Sequence, residues 1–526
     1  MHHLREQTAY DGGIVKVADN RPTSEYAARR INSPTMPLLL YAFIGCCLVV
    51  ISGVTAKPSS LKYAVIIDAG STDSRVRVYS WHERASSTYK LPRFFLTLNY
   101  KVKPGHLELR EKPQWPQVAR EWPRLTRQES RPEEERSRYT DISLGNGRTC
   151  QPVHPLACTN PSDVHLSSGM RMLLETDADA VMKRIHKILT NKSKNRFKYR
   201  RIQSRVLSGE EEGAFGWLSV NYLNNLFPID GGAIGGGTAS KTDDSWGITE
   251  LGGASLQIAF IPSGSLRANK FPVKVLGTQY TLYVHSYLGY GQKQVLKKIT
   301  DYLRAKNGGQ TSFENPCMLK GDAKEDGSVT YRGTGNPKEC RKVFRAILDK
   351  ANCLPQPCGL GRVYQPTIPR KKKFFELSAF AYTINALGIL KSKSTMHTVS
   401  DITSATERYC AKTLDQLKQE TGRNGDYLST DCAVGVYMEV LFKDIYGFKS
   451  TAEFTSGFNI NGAVPEWTLG AMIYEYEREK AKDPKGPFHT GARTGDAPRF
   501  HSALILVAVL AFLAHGMSVT GDGVLS

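Results

Sequence analysis

From Lys62 the chain runs through an unbroken apolar stretch, Tyr63-Ala-Val-Ile-Ile67, which ends at Asp68. Small residues follow through Ala69-Gly-Ser-Thr72, and the alternating Arg75-Val-Arg-Val-Tyr79 leads away. A short apolar run bounded by a turn predicts a buried strand, and alternation predicts a strand with one wet face. The whole reads as a β-hairpin. The same design returns at Trp246-Gly-Ile-Thr-Glu-Leu-Gly-Gly-Ala-Ser-Leu-Gln-Ile-Ala-Phe260: apolar strand, carboxylate, small residues, serine, apolar strand. Between and beyond the hairpins the pattern predicts a strand and turn over 94–105 and a helix from about Met170 to Leu189. A short strand at Val206 then leads into an acidic helix start at Ser208-Gly-Glu-Glu-Glu-Gly213, and 280–304 reads as strand, turn and helix. Further helices are expected to begin at Lys373, to run over 405–417 and 432–445, and to open at Pro465. Glycines make 231–237 a loop between domains, and 308–337 reads as a cysteine-bearing loop. Phe375, Phe380 and Tyr382 are assigned to the core rather than to a platform for a stacked base.

Each hairpin turn exposes backbone N–H groups and a hydroxyl beside a carboxylate. Gly70, Gly252 and Gly253 allow an anion close to the backbone, while Asp68 and Glu250 stand where a metal ion or its waters could be held. One such turn is an ordinary hairpin; two in matched order suggest a polyphosphate gripped from both sides. The duplication resembles the actin, Hsp70 and sugar-kinase superfamily, which implies an α/β, ribonuclease H-like fold in two copies with a catalytic cleft between them. The three acids before Gly213 serve either to complement the helix dipole or to supply a general base and ligands for metal-bound water.

Composition adds the compartment. The chain has 526 residues and a net charge of +20, but its Lys and Arg are interleaved with acids and no nucleic-acid motif is present, so a nucleic-acid partner is not expected. Residues 37–54 are almost wholly apolar and follow Arg21, Arg29 and Arg30, as in a signal-anchor with a cytoplasmic tail at 1–36. A cleaved leader from Met36 is the rival, disfavoured because it lacks a basic start. Residues 503–519 approach a second span behind a Pro- and Gly-rich linker at 481–502, with a core helix or a lipid-anchor signal as alternatives. Six cysteines between Cys317 and Cys432 suit disulfides in an oxidising compartment better than zinc, and Asn191-Lys-Ser193 is a glycosylation acceptor. Residues 105–161 crowd Arg, Glu, Pro and Trp without periodicity and carry no readable element.

Five stretches then combine in order: Asp68-Ala-Gly-Ser-Thr72, Ser208–Gly213 with Phe215-Gly-Trp217, Leu251-Gly-Gly-Ala-Ser-Leu-Gln257, Phe375-Glu-Leu-Ser-Ala-Phe380 and Trp467-Thr-Leu-Gly470. Over 62–479 the chain resembles the ecto-apyrases, the nucleoside triphosphate diphosphohydrolase family. The resemblance implies a Ca2+- or Mg2+-dependent enzyme that removes terminal phosphates from nucleoside tri- and diphosphates without a covalent intermediate. It casts Glu212 as the base that deprotonates water, with Ser255 positioning that water. Ser71, Thr72, Gly252, Gly253, Ala254, Ser255 and Gln257 would hold phosphates, and Asp68 and Glu250 the waters of the metal. It further implies the disulfides Cys317–Cys340, Cys353–Cys358 and Cys410–Cys432.

Three departures stand out. Glu250 replaces the family's usual aspartate, Ser167-Ser-Gly-Met-Arg171 is only similar to the family's loop, and Asp431 stands where cell-surface members often have a base-binding tyrosine. The expected organisation is a domain at 57–205, a second at 206–464, and a helix at 465–480 returning to the first. The expected activity is conversion of ATP and ADP to monophosphates at the cell surface, with an oligomer left open. A lumenal or secreted diphosphatase acting on UDP or GDP, or a non-catalytic nucleotide-binding protein, are the alternatives.

Overall fold

A computed structural model of the chain describes residues 60–69, 74–83, 90–102, 162–166, 169–191, 199, 204–234, 244–350, 352–423 and 425–482. The two apolar segments at 37–54 and 503–519, the expected cytoplasmic tail at 1–36 and the stretch at 105–161 lie outside them. No helix among the described residues is long and apolar enough to cross a membrane.

The chain opens with strands β1 (Ser60–Ala69), β2 (Ser74–Glu83) and β3 (Phe95–Val102), then β4 (Ser162–Leu166), helix α1 (Glu175–Leu189) and β5 (Ser204–Val206). The strands form one sheet in the order β3-β2-β1-β4-β5, antiparallel from β3 to β1 and parallel from β1 to β5. Helix α2 (Gly209–Leu223) follows, then β6 (Gly247–Leu251), β7 (Ser255–Phe260), β8 (Lys270–Val275), β9 (Thr278–Leu288) and α3 (Gln292–Lys306). Short strands β10 (Ser312–Asn315), β11 (Ala323–Asp326) and β12 (Val329–Gly333) make a separate small sheet before α4 (Pro337–Ile347). The remainder is β13 (Phe374–Ser378), α5 (Ala379–Ala386), β14 (Ser394–Thr398), α6 (Val399–Cys410), α7 (Leu414–Thr421), α8 (Leu428–Val440), β15 (Glu453–Gly457) and α9 (Trp467–Lys482).

The second large sheet has the order β14-β15-β13-β6-β7-β9-β8. Its inner five strands, β9-β7-β6-β13-β15, repeat the first sheet: antiparallel as far as β6, then parallel through β13 and β15. Strands β6 and β7 are buried at every position, which is why they read as continuous apolar runs.

Helix α2 is buried on all sides except at Glu210 and Glu211. Its start is fixed by a capping box, in which Ser208 Oγ accepts from Glu211 N at 3.1 Å and Glu211 Oε2 accepts from Ser208 N at 3.0 Å. Helix α9 lies against it so closely that a Cβ on Gly470 would stand 1.8 Å from the Phe215 carbonyl oxygen. α9 also meets the first sheet, through a 2.8 Å hydrogen bond between Tyr79 Oη and Thr468 Oγ1, an edge-on Trp81–Tyr476 pair and an ion pair between buried Arg77 and Glu466. Because Tyr79 pairs with Ala64 and Trp81 with Lys62, α9 advances from Thr468 to Tyr476 toward the start of β1, away from Asp68. The three cysteine pairs are Cys317–Cys340, Cys353–Cys358 and Cys410–Cys432, the last tying α6 to α8.

Four local expectations change. The aromatic run at Phe374 is strand rather than helix: it lies between β6 and β15 with Phe374 to Leu377 buried on both faces, and a short apolar run has no period to separate the two states. The helix begins only at Ala379. The expected helix over 405–417 is broken, since Thr413 and Gln416 form a capping box that starts α7 anew. The loop at 308–337 holds β10 to β12, and Gly327-Ser328, with Gly327 at φ +64°, is the two-residue turn joining β11 to β12. Tyr382, assigned to the core, is 62% exposed and its ring rests against Phe458 at 5.0 Å.

The α2–α9 contact gives a direct test. Gly470→Ala forces a methyl into backbone and is expected to lower stability in chemical denaturation by about 3 kcal/mol, or to prevent folding. Gly264→Ala, with nothing within 4 Å of the added methyl, should be nearly neutral. Equal stability of the two variants would show that these helices do not touch as described.

Candidate active site

The three acids at the start of α2 separate by function. Glu211 completes the capping box and pairs with Arg205 at 2.6 Å. Glu210 is partly exposed and lies 3.7 Å from His285 Nδ1, a ring whose pKa is lowered by burial and raised back in part by Glu210. Glu212 alone turns into the protein, where it is 7% exposed.

Around Glu212 the polar partners are close-set. Arg171, from the turn at Met170–Met172 that is anchored by buried Met170, donates from Nη2 to Glu212 Oε2 at 2.8 Å and to Ser255 Oγ at 3.3 Å. Its Nη1 donates to the Leu207 carbonyl at 2.9 Å, so the guanidinium is fixed at both ends. Gln257 Nε2 lies 3.1 Å from Glu212 Oε2, 2.5 Å from Ser255 Oγ and 3.2 Å from Ser286 Oγ. Burial pushes the Glu212 carboxyl up, and Arg171 pulls it back toward the charged form.

The β6–β7 turn is held from behind. Gln292 N and Lys293 N at the start of α3 donate to the carbonyls of Gly252 and Gly253, and Gly289 N to that of Ala254. The backbones are in direct contact: a Cβ on Gly291 would lie 2.5 Å from Ala254 and Ser255 main-chain atoms, which only glycine permits. With the turn's carbonyls satisfied, no described backbone carbonyl accepts from Gly253 N or Ala254 N. Such N–H groups beside a buried hydroxyl make an anion site.

Two more carboxylates complete the cluster. Asp68, at the end of β1, is 5% exposed and 3.9 Å from Arg75; Glu250, on β6, is 6% exposed. Burial, then the charges of Glu212 and Asp68, push Glu250 up to about 8 against the pull of Ser378, whose hydroxyl donates to Oε1 at 2.7 Å. Glu250 Oε2 is buried with no hydrogen-bond partner among the described residues. This set fits a hard dication such as Ca2+ or Mg2+, which favours carboxylate and water oxygens and whose charge would relieve the repulsion. Among the described residues no group of three His, Cys, Asp or Glu is arranged to ligate a metal directly.

Of the residues named from the sequence, Asp68, Glu212, Glu250, Ser255 and Gln257 lie in this region with the Gly252–Ala254 turn; Ser71 and Thr72 lie outside the described residues. Sequence reasoning did not assign roles to Arg171, Ser286 and Ser378. Arg171 closes the Ser167–Arg171 loop and Ser378 lies inside the Phe375–Phe380 motif, so the signal for both is position within a motif, whereas Ser286 has none.

A profile of the GDA1/CD39 (nucleoside phosphatase) family matches residues 54–485. Ectonucleoside triphosphate diphosphohydrolase 2 of Gallus gallus is 27% identical over 484 residues, covering 87% of this chain and 92% of the relative. Ectonucleoside triphosphate diphosphohydrolase 3 of Homo sapiens is 26% identical over 501 residues, covering 88% and 87%. The crystal structure of nucleoside triphosphate hydrolases from Neospora caninum aligns with a TM-score of 0.58 at 14% identity, over 84% of this chain and 96% of that one, which is likeness of fold. With a family profile spanning both sheets and the carboxylate cluster, the chain belongs to the GDA1/CD39 (nucleoside phosphatase) family.

Proposed function

We propose that the protein removes the terminal phosphate of nucleoside tri- and diphosphates, ATP and ADP among them, by attack of a water that Glu212 deprotonates. The observation that carries this is the isolation of Glu212 from its two acidic neighbours: buried, bonded to Arg171 and adjoining Ser255 and Gln257. Arg171 keeps the carboxylate ionised and therefore able to accept a proton, while burial keeps it more basic than an exposed glutamate. Ser255 and Gln257 orient the water. The N–H groups from Gly252 to Ser255, with Ser71 and Thr72 from the other hairpin, hold the phosphates. A Ca2+ or Mg2+ ion, its waters held by Asp68 and Glu250, supplies charge neutralisation. Positioning and charge are most of what phosphoryl transfer needs from a protein. In this reading the two sheets belong to duplicated domains, 57–205 and 206–464, and the reaction takes place in the cleft between them.

The same reading places the enzyme at a membrane with its catalytic region outside the cytoplasm. In the sequence, the apolar residues 37–54 precede β1 and the apolar residues 503–519 follow α9. With the tail at 1–36 cytoplasmic, the residues between two such spans lie outside the cytoplasm.

Three measurements test this. Phosphate release from ATP, ADP, UDP and GDP should require Ca2+ or Mg2+ and stop with EDTA; nucleotide binding without release from any of them would favour a binding protein. Glu212→Gln should reduce turnover roughly 10²-fold or more with little change in nucleotide affinity, as for loss of a general base. Glu210→Gln, altering the acid that faces His285, should hydrolyse near the parental rate, and parental turnover in both variants would sink the assignment of the base. After a sodium carbonate wash the protein should stay with membranes and be labelled at the cell surface; release by the wash would mean that 37–54 is cleaved and 503–519 does not span.

A further inference from the structure

Helices α2, α6 and α7 begin behind Ser208, Thr398 and Thr413, and each hydroxyl accepts a helix N–H as a cap. Ser378 precedes α5 and makes no such bond. Its backbone has φ 59° and ψ −126°, a region that residues with a side chain avoid and only glycine adopts with ease.

The geometry of β13 explains what this conformation accomplishes. Phe375 and Leu377 share a core with Ile248, whose face of β6 also carries Glu250, while Phe374 belongs to the core on the other side. Regular alternation would send Ser378 with Phe374 and Glu376, away from Glu250. The positive φ turns it back, and its hydroxyl donates to Glu250 Oε1 at 2.7 Å. Glu250 Oε2 then lies along α2, beside Gly216: a Cβ there would stand 3.5 Å from Oε2, an ordinary van der Waals contact.

We propose that Ser378 is a positioning residue, held in a left-handed backbone so that its hydroxyl fixes the Glu250 carboxylate through Oε1 and leaves Oε2 for the water shell of a divalent cation. The inference rests on the metal-dependent hydrolysis proposed above. It also fits the chain's own substitution: a glutamate has one more rotatable bond than an aspartate, and a second anchor removes that freedom.

The test uses the full chain with Ser378→Gly, Ser378→Ala and Ser378→Thr. Binding of Mn2+ with a non-hydrolysable nucleotide, followed by electron paramagnetic resonance, and the Mg2+ concentration for half-maximal phosphate release are read beside the thermal midpoint. Gly and Ala variants should bind Mn2+ about tenfold more weakly, as for loss of one hydrogen bond to a charged group, and need correspondingly more Mg2+. Turnover at saturating Mg2+ should change far less. The Gly variant should melt no lower than the parent because its backbone is relaxed there. The Thr variant should keep cation affinity while melting lower, since a β-branched residue tolerates positive φ least. A purely structural role predicts the reverse coupling, with cation affinity falling only where the midpoint falls. Unchanged Mn2+ affinity in Ser378→Gly, with an active parent, overturns this inference alone. A parent that neither binds Mn2+ nor releases phosphate overturns it together with the reading on which it rests.

Discussion

Mutual repulsion among Asp68, Glu212 and Glu250 is the constraint on which the rest of the structure depends. All three are buried, they come from β1, α2 and β6, and the charges of Glu212 and Asp68 make Glu250 harder to ionise. Two unit charges about 4 Å apart interact by roughly 4 kcal/mol at the effective dielectric of a protein site. A domain is stable by only about 5–15 kcal/mol in all, so such a cluster needs compensation. Arg171 supplies it at Glu212 and Arg75 at Asp68, while Glu250 has a hydroxyl and a pKa near 8. Glu250 Oε2, buried and without a hydrogen-bond partner among the described residues, is a place where an added dication would gain.

Holding these groups in place requires rigid backbones, and glycine permits the closest approaches. Gly470 brings α9 onto the main chain of Phe215, three residues past Glu212. Gly209 does the same at the first turn of α2, where a Cβ would stand 2.2 Å from the Ser286 side chain. Gly291 presses the start of α3 against the β6–β7 turn. The helix carrying the base, the turn carrying the N–H groups and the strand carrying Gln257 are therefore fixed by contacts that a single methyl would disturb.

Much of this was legible in the sequence because it is local. The two hairpins declared themselves through apolar runs broken by an acid and glycines, and the duplicated order of strands follows from them. The capping box at Ser208 and Glu211 also lies within four residues, although its consequence for sorting the acids required knowing which face of α2 is buried. What was lost depended on distance or on context. β13 looks helical because burial on both faces erases the period of a strand. Tyr382 looks like core because its residue type says nothing of the face it occupies, and Gly327-Ser328 is a turn signal inside a stretch that reads as loop. Arg171 reaches Glu212 across 41 positions and Ser378 reaches Glu250 across 128, which no local pattern encodes.

Ser378 and Glu250 also show why motif matching alone cannot settle a site. By charge, Glu250 is equivalent to the aspartate that the resemblance to the ecto-apyrases implies at this position, and a motif comparison accepts it. By geometry it is a different group: one of its oxygens is bound by a hydroxyl that reaches it only through an unfavourable backbone conformation. Strain of this kind costs on the order of 1–3 kcal/mol and persists only where surrounding structure imposes it. Here the surroundings are a strand buried on both faces, paired on each side, and running straight into a helix. The fold thus spends part of its packing energy on the orientation of one carboxylate.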